Sequence, residues 1–280
     1  MERQFENDNK LKGYLSNQAK KNNISSNYAY TYFFLRCFLE ILNKNNDDLI
    51  ITGSFSNFAH TKKIYRPITD LDLQTKIENL DNFDNTVSNL NDNNLGVNFN
   101  VKQRFVTENG TINYRILCNF GKLERIIKSD IKIVRSAPFS KVIIPKLFDA
   151  DSQMLFNVTE FEKQIADKLC IIIRKLYTYK NLNNEYKRYK DIYDISNIVK
   201  NNKEKIDFDK VLFYVKSRLQ NDDLIKDLSK QDILNLLDIL NQKFLENNEK
   251  SYNEDAKKFQ FMNKIDNNLK EVKQSIKRSL

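Results

Sequence analysis

The sequence predicts an α+β protein, with one mixed β-sheet and flanking helices over residues 1–150 and an all-helical part over residues 151–280. Three observations carry this. Segments of helical and of strand-like periodicity alternate through the first half. An Asn109-Gly110 pair joins two strand-like runs, which is the strongest short hairpin signal. Strand-like runs stop after Pro138 and Pro145, and beyond Asn157 the pattern is helical.

The elements follow in order. Asn27 to Lys44 is a helix, stopped by the run Asn45-Asn46-Asp47-Asp48. Leu49 to Thr52 is short, β-branched and strand-like, and ends at Gly53-Ser54. A short helix is expected from Ser56 to Lys62, and another from Asn79 to Asn91. Asp70 to Lys76 alternates polar and apolar, as a half-buried strand does. Phe99 to Thr107, Thr111 to Cys118 and Ile126 to Val134 are the remaining strands. Thr159-x-x-Glu162 reads as a capping box that opens a helix to about Tyr179. Further helices are expected at about 185–200, 208–219, 230–246 and 253–278.

Composition narrows the function classes. No apolar run approaches the roughly 20 residues of a membrane span, and the N-terminus has no signal-peptide core. Cys37, Cys118 and Cys170 have no metal-site spacing and read as buried thiols of a reducing cytosol. A single histidine, His60, argues against a zinc site or a serine–histidine triad. The net charge of +9 favours an anionic partner such as RNA, DNA or nucleotide phosphate. The same wealth of Asn, Lys and Ile is what an AT-rich genome dictates, so charge alone leaves both readings open.

With only five glycines in the chain, Gly53 is informative. It stands where a strand turns into a helix, and Ser54 follows it. The helix N–H groups and the Ser54 hydroxyl could cradle a phosphate there, although an ordinary tight turn has the same sequence. Asp70 and Asp72, two apart on a strand, share a face. Such a pair repels, by on the order of 1 kcal/mol when solvated, and a shared divalent cation relieves it. Mg²⁺ suits carboxylate and phosphate oxygens. A solvated strand edge is the alternative. Asp130, between Lys128 and Lys132, is a candidate third ligand of a two-metal site or a simple ion-pair partner.

Lys168 interrupts an apolar row of Phe161, Ile165 and Ile172 on its helix, where a lysine needs an anionic partner or must snorkel to water. Asp191 lines up with Ile195 and Ile198, so a Lys168–Asp191 pair would satisfy both groups. Tyrosines and lysines interleave between 175 and 193, as in RNA-stacking surfaces and in plain solvated helices alike.

A Gly-Ser loop after a strand, then Arg66-Pro-Ile-Thr-Asp70-Leu-Asp72-Leu and a later Asp130 strand, resembles the nucleotidyltransferase superfamily. Thr52 stands where that pattern often has a second glycine. Ala166-Asp-Lys168-Leu and Arg188-Tyr-Lys-Asp191-Ile-Tyr-Asp194-Ile extend the resemblance to the AbiEii/AbiGii family of abortive-infection toxins over roughly residues 49–200. The resemblance implies a nucleotidyltransferase-like α/β domain, 1–150, and a helical domain, 151–280, that completes the active-site cleft. It implies an enzyme moving a nucleotidyl group from a nucleoside triphosphate, with Mg²⁺ on Asp70, Asp72 and Asp130. Gly53, Ser54, Arg66 and Lys168 would bind the nucleotide, and Asp191 would complete the catalytic set. It also implies a tRNA 3′ end as an acceptor and a cognate antitoxin as partner. A small-molecule nucleotidyltransferase of the antibiotic-modifying kind, or a non-catalytic nucleotide- or partner-binding member, shares the same core motifs.

Overall fold

A computed structural model describes residues 7–22, 24–62, 68–76, 80–91, 96–144, 154–178 and 202–220, with positions 191, 194, 195 and 198. The chain divides into two compact units, Met1–Thr159 and Glu160–Leu280.

Among the described residues the first unit has seven strands. These are β1 (Ile50–Thr52), β2 (Asp70–Thr75), β3 (Asn98–Val106), β4 (Ile112–Phe120), β5 (Leu123–Ile133), β6 (Phe139–Ile143) and β7 (Leu155–Thr159). They lie in the order β3-β4-β5-β2-β1-β7-β6. The sheet is mixed: β2 runs parallel to β5 and β1 parallel to β7, while the other neighbours are antiparallel. Its helices are α1 (Asp8–Lys21), α2 (Ser26–Asn45), α3 (Gly53–Thr61) and α4 (Leu80–Ser88).

Local chemistry explains the element ends. Asn7 caps α1 by accepting from Lys10 N at 3.0 Å, and Ser25 caps α2 by accepting from Tyr28 N at 3.1 Å. Helix α2 is apolar almost all round and buried from Tyr28 to Leu42 except Tyr30 and Thr31, the mark of a central helix. Its Phe33 and Phe38 meet Phe120 and Phe99 on one face of the sheet. Leu71, Leu73, Ile127 and Ile131 point into the same core. The Asn109-Gly110 turn closes the β3–β4 hairpin, with Gly110 at φ 77°, where a side chain would be strained.

Several elements depart from the sequence-based expectation. Helix α3 starts at Gly53 itself rather than at Ser56, so the loop after β1 has no length of its own. Strands β6 and β7, around the prolines, were not expected, and the sheet runs to Thr159. Thr159 therefore ends a strand and does not cap a helix; its hydroxyl has no hydrogen-bond partner among the described residues. Glu162, the other half of the expected capping box, accepts instead from Asp207 N at 3.3 Å.

In the second unit, α5 (Phe161–Thr178) packs on α6 (Phe208–Gln220). The expected helices at 230–246 and 253–278 lie outside the described residues. The one at about 185–200 is described at four positions only, all buried. No helix among the described residues is long and apolar enough to cross a membrane.

Candidate active site

Along β2, β4 and β5 one face lies on the core and the other is open, and strand register decides which residues share the open one. Along β2, Leu71 and Leu73 are buried while Asp70 and Asp72 are half-buried. Along β5, Ser129 and Ile131 are buried while Asp130 is half-buried between exposed Lys128 and Lys132. Asp72 pairs in register with Asp130 on one side and with Thr52 on the other; Asp70 pairs with Lys128. The three aspartates thus share one face of two adjacent strands, about 4.8 Å apart, beside the residue that precedes Gly53.

Gly53 and Asp72 are in contact. Gly53 has φ 65°, and a Cβ added to it would lie 1.9 Å from Asp72 Oδ2. Only glycine permits both this backbone and this approach. The carboxylate therefore rests against the first residue of α3, where the helix dipole favours negative charge. The side chain of Thr52, the N-cap residue, makes no capping hydrogen bond. The first turn of α3, with Ser54 in it, presents the anion-attracting end of a helix beside the aspartates.

Electrostatics mark Asp130. Burial pushes its carboxyl above the ordinary 3.8, Asp70 pushes the same way, and Lys128 opposes both. This is the behaviour of an acid held near another acid on a half-open surface. Among the described residues no three His, Cys, Asp or Glu side chains stand close enough to hold a metal ion already. The donor chemistry nonetheless suits a hard divalent cation: three carboxylates on one face, one of them pushed up by burial and by its neighbour Asp70.

In the second unit, Lys168 is 6 % exposed, as its place in an apolar row predicts. Its Nζ donates to Asp191 Oδ1 at 3.0 Å and to Asp194 Oδ2 at 2.8 Å. Asp191 and Asp194 are 7 % and 4 % exposed. Sequence reasoning paired Lys168 with Asp191 and missed Asp194. The signal was present, since Asp191 and Asp194 are three apart on one helix and so share a face.

Arg66, the expected phosphate contact, lies outside the described residues. His60 Nε2 donates to the Thr159 carbonyl at 2.8 Å, tying α3 to β7. A cavity of about 860 Å³ lies by α4, β3 and β4 and contains none of the expected site residues.

Comparison with solved structures finds similar chains. A crystal structure of a candidate nucleotidyltransferase from H. pylori matches with TM-score 0.50 at 16 % identity, over 91 % of this chain and 96 % of that one. JHP933 from Helicobacter pylori matches with TM-score 0.49 at 17 % identity, over 91 % and 92 %. The antibiotic-resistance factor ANT(2'')-Ia matches with TM-score 0.39 at 13 % identity, over 66 % and 92 %. At such identities the first likeness speaks for the fold. No curated protein matches the sequence significantly. The profile of one family, described as nucleotidyl transferase AbiEii toxin of type IV toxin–antitoxin systems, matches residues 39–271. That span covers most of the chain, from α2 through both aspartate strands and the Lys168 helix, and the protein belongs to the AbiEii family of nucleotidyltransferase toxins.

Proposed function

We propose that the protein transfers a nucleotidyl group, in a Mg²⁺-dependent reaction, from a nucleoside triphosphate to the 3′ hydroxyl of an RNA such as tRNA. In this reading it is the toxin of a toxin–antitoxin pair and is controlled by a cognate antitoxin. The single observation that carries the reading is the register Thr52–Asp72–Asp130, which sets a carboxylate pair beside the glycine-led start of a helix.

Each residue has a role. Gly53, Ser54 and the first N–H groups of α3 hold the triphosphate, with Arg66 as a further phosphate contact. Asp70, Asp72 and Asp130 hold Mg²⁺, which supplies charge neutralisation at the phosphoryl oxygens and the leaving pyrophosphate. Asp130 also takes the acceptor's proton as its oxygen bonds to the α-phosphorus and the bond to pyrophosphate breaks. A carboxyl whose pKa is raised by burial is suited to accept that proton. Within the second unit, Lys168 is held in one orientation by Asp191 and Asp194.

The test is incubation with each α-labelled triphosphate, Mg²⁺ and total RNA. Label in RNA with the wild type, absent with Asp72→Asn, is the expected result. Label that enters no RNA under any triphosphate overturns the reading, and label in a small hydroxyl compound instead replaces the acceptor.

A further inference from the structure

The open face of the sheet continues past the aspartates onto β4 and β3, and its residues are unlike those of an ordinary solvated face. Register lays them out in rows across the strands. One row runs Asp70, Lys128, Arg115, Gln103, and the next runs Asp72, Asp130, Asn113, Phe105. A third begins at Ile126 and Leu117. The hydrogen bond from Asn119 Nδ2 to Glu124 Oε1 at 3.3 Å fixes which residues of β4 and β5 share the face.

Two features of these rows call for an occupant. Arg115 and Lys128 are exposed and sit directly opposite each other, and like charges in such cross-strand pairs repel. Arg115 makes no hydrogen bond or ion pair among the described residues. Arg104, by contrast, is already engaged, donating to Asp84 at 2.9 Å and to Tyr114 at 3.1 Å. Beside the cations stand apolar side chains in water: Ile126 is 59 % and Phe105 is 39 % exposed. Cations to take phosphates and an aromatic face to take a base are what a single nucleic-acid strand requires.

We infer that β3, β4 and β5 form the acceptor platform of this enzyme, binding the unpaired 3′-terminal nucleotides of RNA. The inference rests on the proposed nucleotidyl transfer to RNA and adds where the acceptor lies. The terminal hydroxyl sits at Asp130, the preceding phosphates at Lys128 and Arg115, and a base against Phe105. The distances are suitable: Arg115 is one strand from Asp130's strand and Phe105 two, roughly 5 and 10 Å, a span of one to two nucleotides. Arg115 faces Lys128 rather than a carboxylate, which leaves its charge to a phosphate.

The test uses the full chain and a short, 5′-fluorescent single-stranded RNA with a free 3′ hydroxyl, followed by anisotropy without triphosphate. Arg115→Glu should weaken binding about tenfold and flatten the dependence of log K on log salt by about 0.7. Phe105→Ala should weaken it about fivefold or more with little change in slope. Lys21→Glu, the same charge change on α1, should leave binding unaltered. Label transfer to RNA is measured in parallel. If transfer occurs and Arg115→Glu and Phe105→Ala bind and label RNA as the wild type does, the platform is overturned while nucleotidyl transfer stands. If the variants weaken RNA binding but the wild type labels no RNA, the platform stands and the reaction proposed for it fails. If Lys21→Glu weakens binding as much as Arg115→Glu, the attraction is diffuse charge and the platform is again overturned.

Discussion

The two units treat acidic clusters in opposite ways. In the sheet unit, Asp70, Asp72 and Asp130 share a half-open face, and burial, then the nearby Asp70, pushes the Asp130 carboxyl up. In the helical unit, Asp191 and Asp194 are nearly inaccessible, and Lys168 bonds to both. Buried acids must be neutralised within the fold, since an unpaired buried charge costs several kcal/mol. Half-open acids face solution, where a cation can supply opposing charge. The helical cluster thus neutralises itself within the fold, and in the proposed reading the sheet cluster is neutralised by a cation from solution.

The largest expected effect breaks the sheet cluster. Asp70→Asn or Asp72→Asn should cut nucleotidyl transfer by a factor of about 100 or more, since metal charge stabilisation is worth several kcal/mol. Far-ultraviolet circular dichroism and the melting temperature should stay near those of the wild type. Loss of fold together with activity would erase the contrast between the clusters.

Next in size is the helical cluster. Lys168→Met strands two carboxylates in a dry site and should cost about 3–5 kcal/mol of stability in urea unfolding. A cost below about 1 kcal/mol would mean that the trio is not what holds these helices. Gly53→Ala should follow, at about 1–3 kcal/mol, because it combines a positive φ with a Cβ placed on Asp72. Its transfer activity should fall further than its stability, as Asp72 is displaced.

The smallest effect concerns pH. Asp130 has a raised pKa in the fold, so its contribution to stability is fully present below the ordinary 3.8 and is lost as pH rises through the raised value. At neutral pH without metal, Asp130→Asn should therefore melt about 1–3 °C higher than the wild type. The gap should close as pH is lowered into the carboxylate range. A variant that melts lower at neutral pH would show that Asp130 is paired rather than repelled.

Much of this was legible in the sequence, for physical reasons. Period two in Asp70–Lys76 and in the Asp130 strand fixes which carboxylates face outward, whatever the topology. Asn109-Gly110 names its own turn, and an apolar row with one lysine announces a buried charge. Other features were not legible. Strand β7, Leu155–Thr159, is buried at four of its five positions, so it has no alternation to read. The sequence Thr159-x-x-Glu162 has the letters of a capping box, but a ladder with β6 claims Thr159 first. The contact of Gly53 with Asp72 depends on the antiparallel pairing of β1 with β2, and the juxtaposition of Arg115 with Lys128 on the β4–β5 register. Pairing is a long-range fact that no local pattern contains.

The claim that the sheet aspartates are a cation site, and the helical ones are not, is tested most directly by Mn²⁺ binding measured by electron paramagnetic resonance. Wild type, Asp72→Asn and Asp194→Asn are compared at neutral pH in the presence of a non-hydrolysable triphosphate. Asp194→Asn keeps a hydrogen-bond acceptor for Lys168 and should bind Mn²⁺ as the wild type does. Asp72→Asn should lose that binding while remaining folded. Equal Mn²⁺ binding by Asp72→Asn and wild type, or loss of binding confined to Asp194→Asn, would contradict the account.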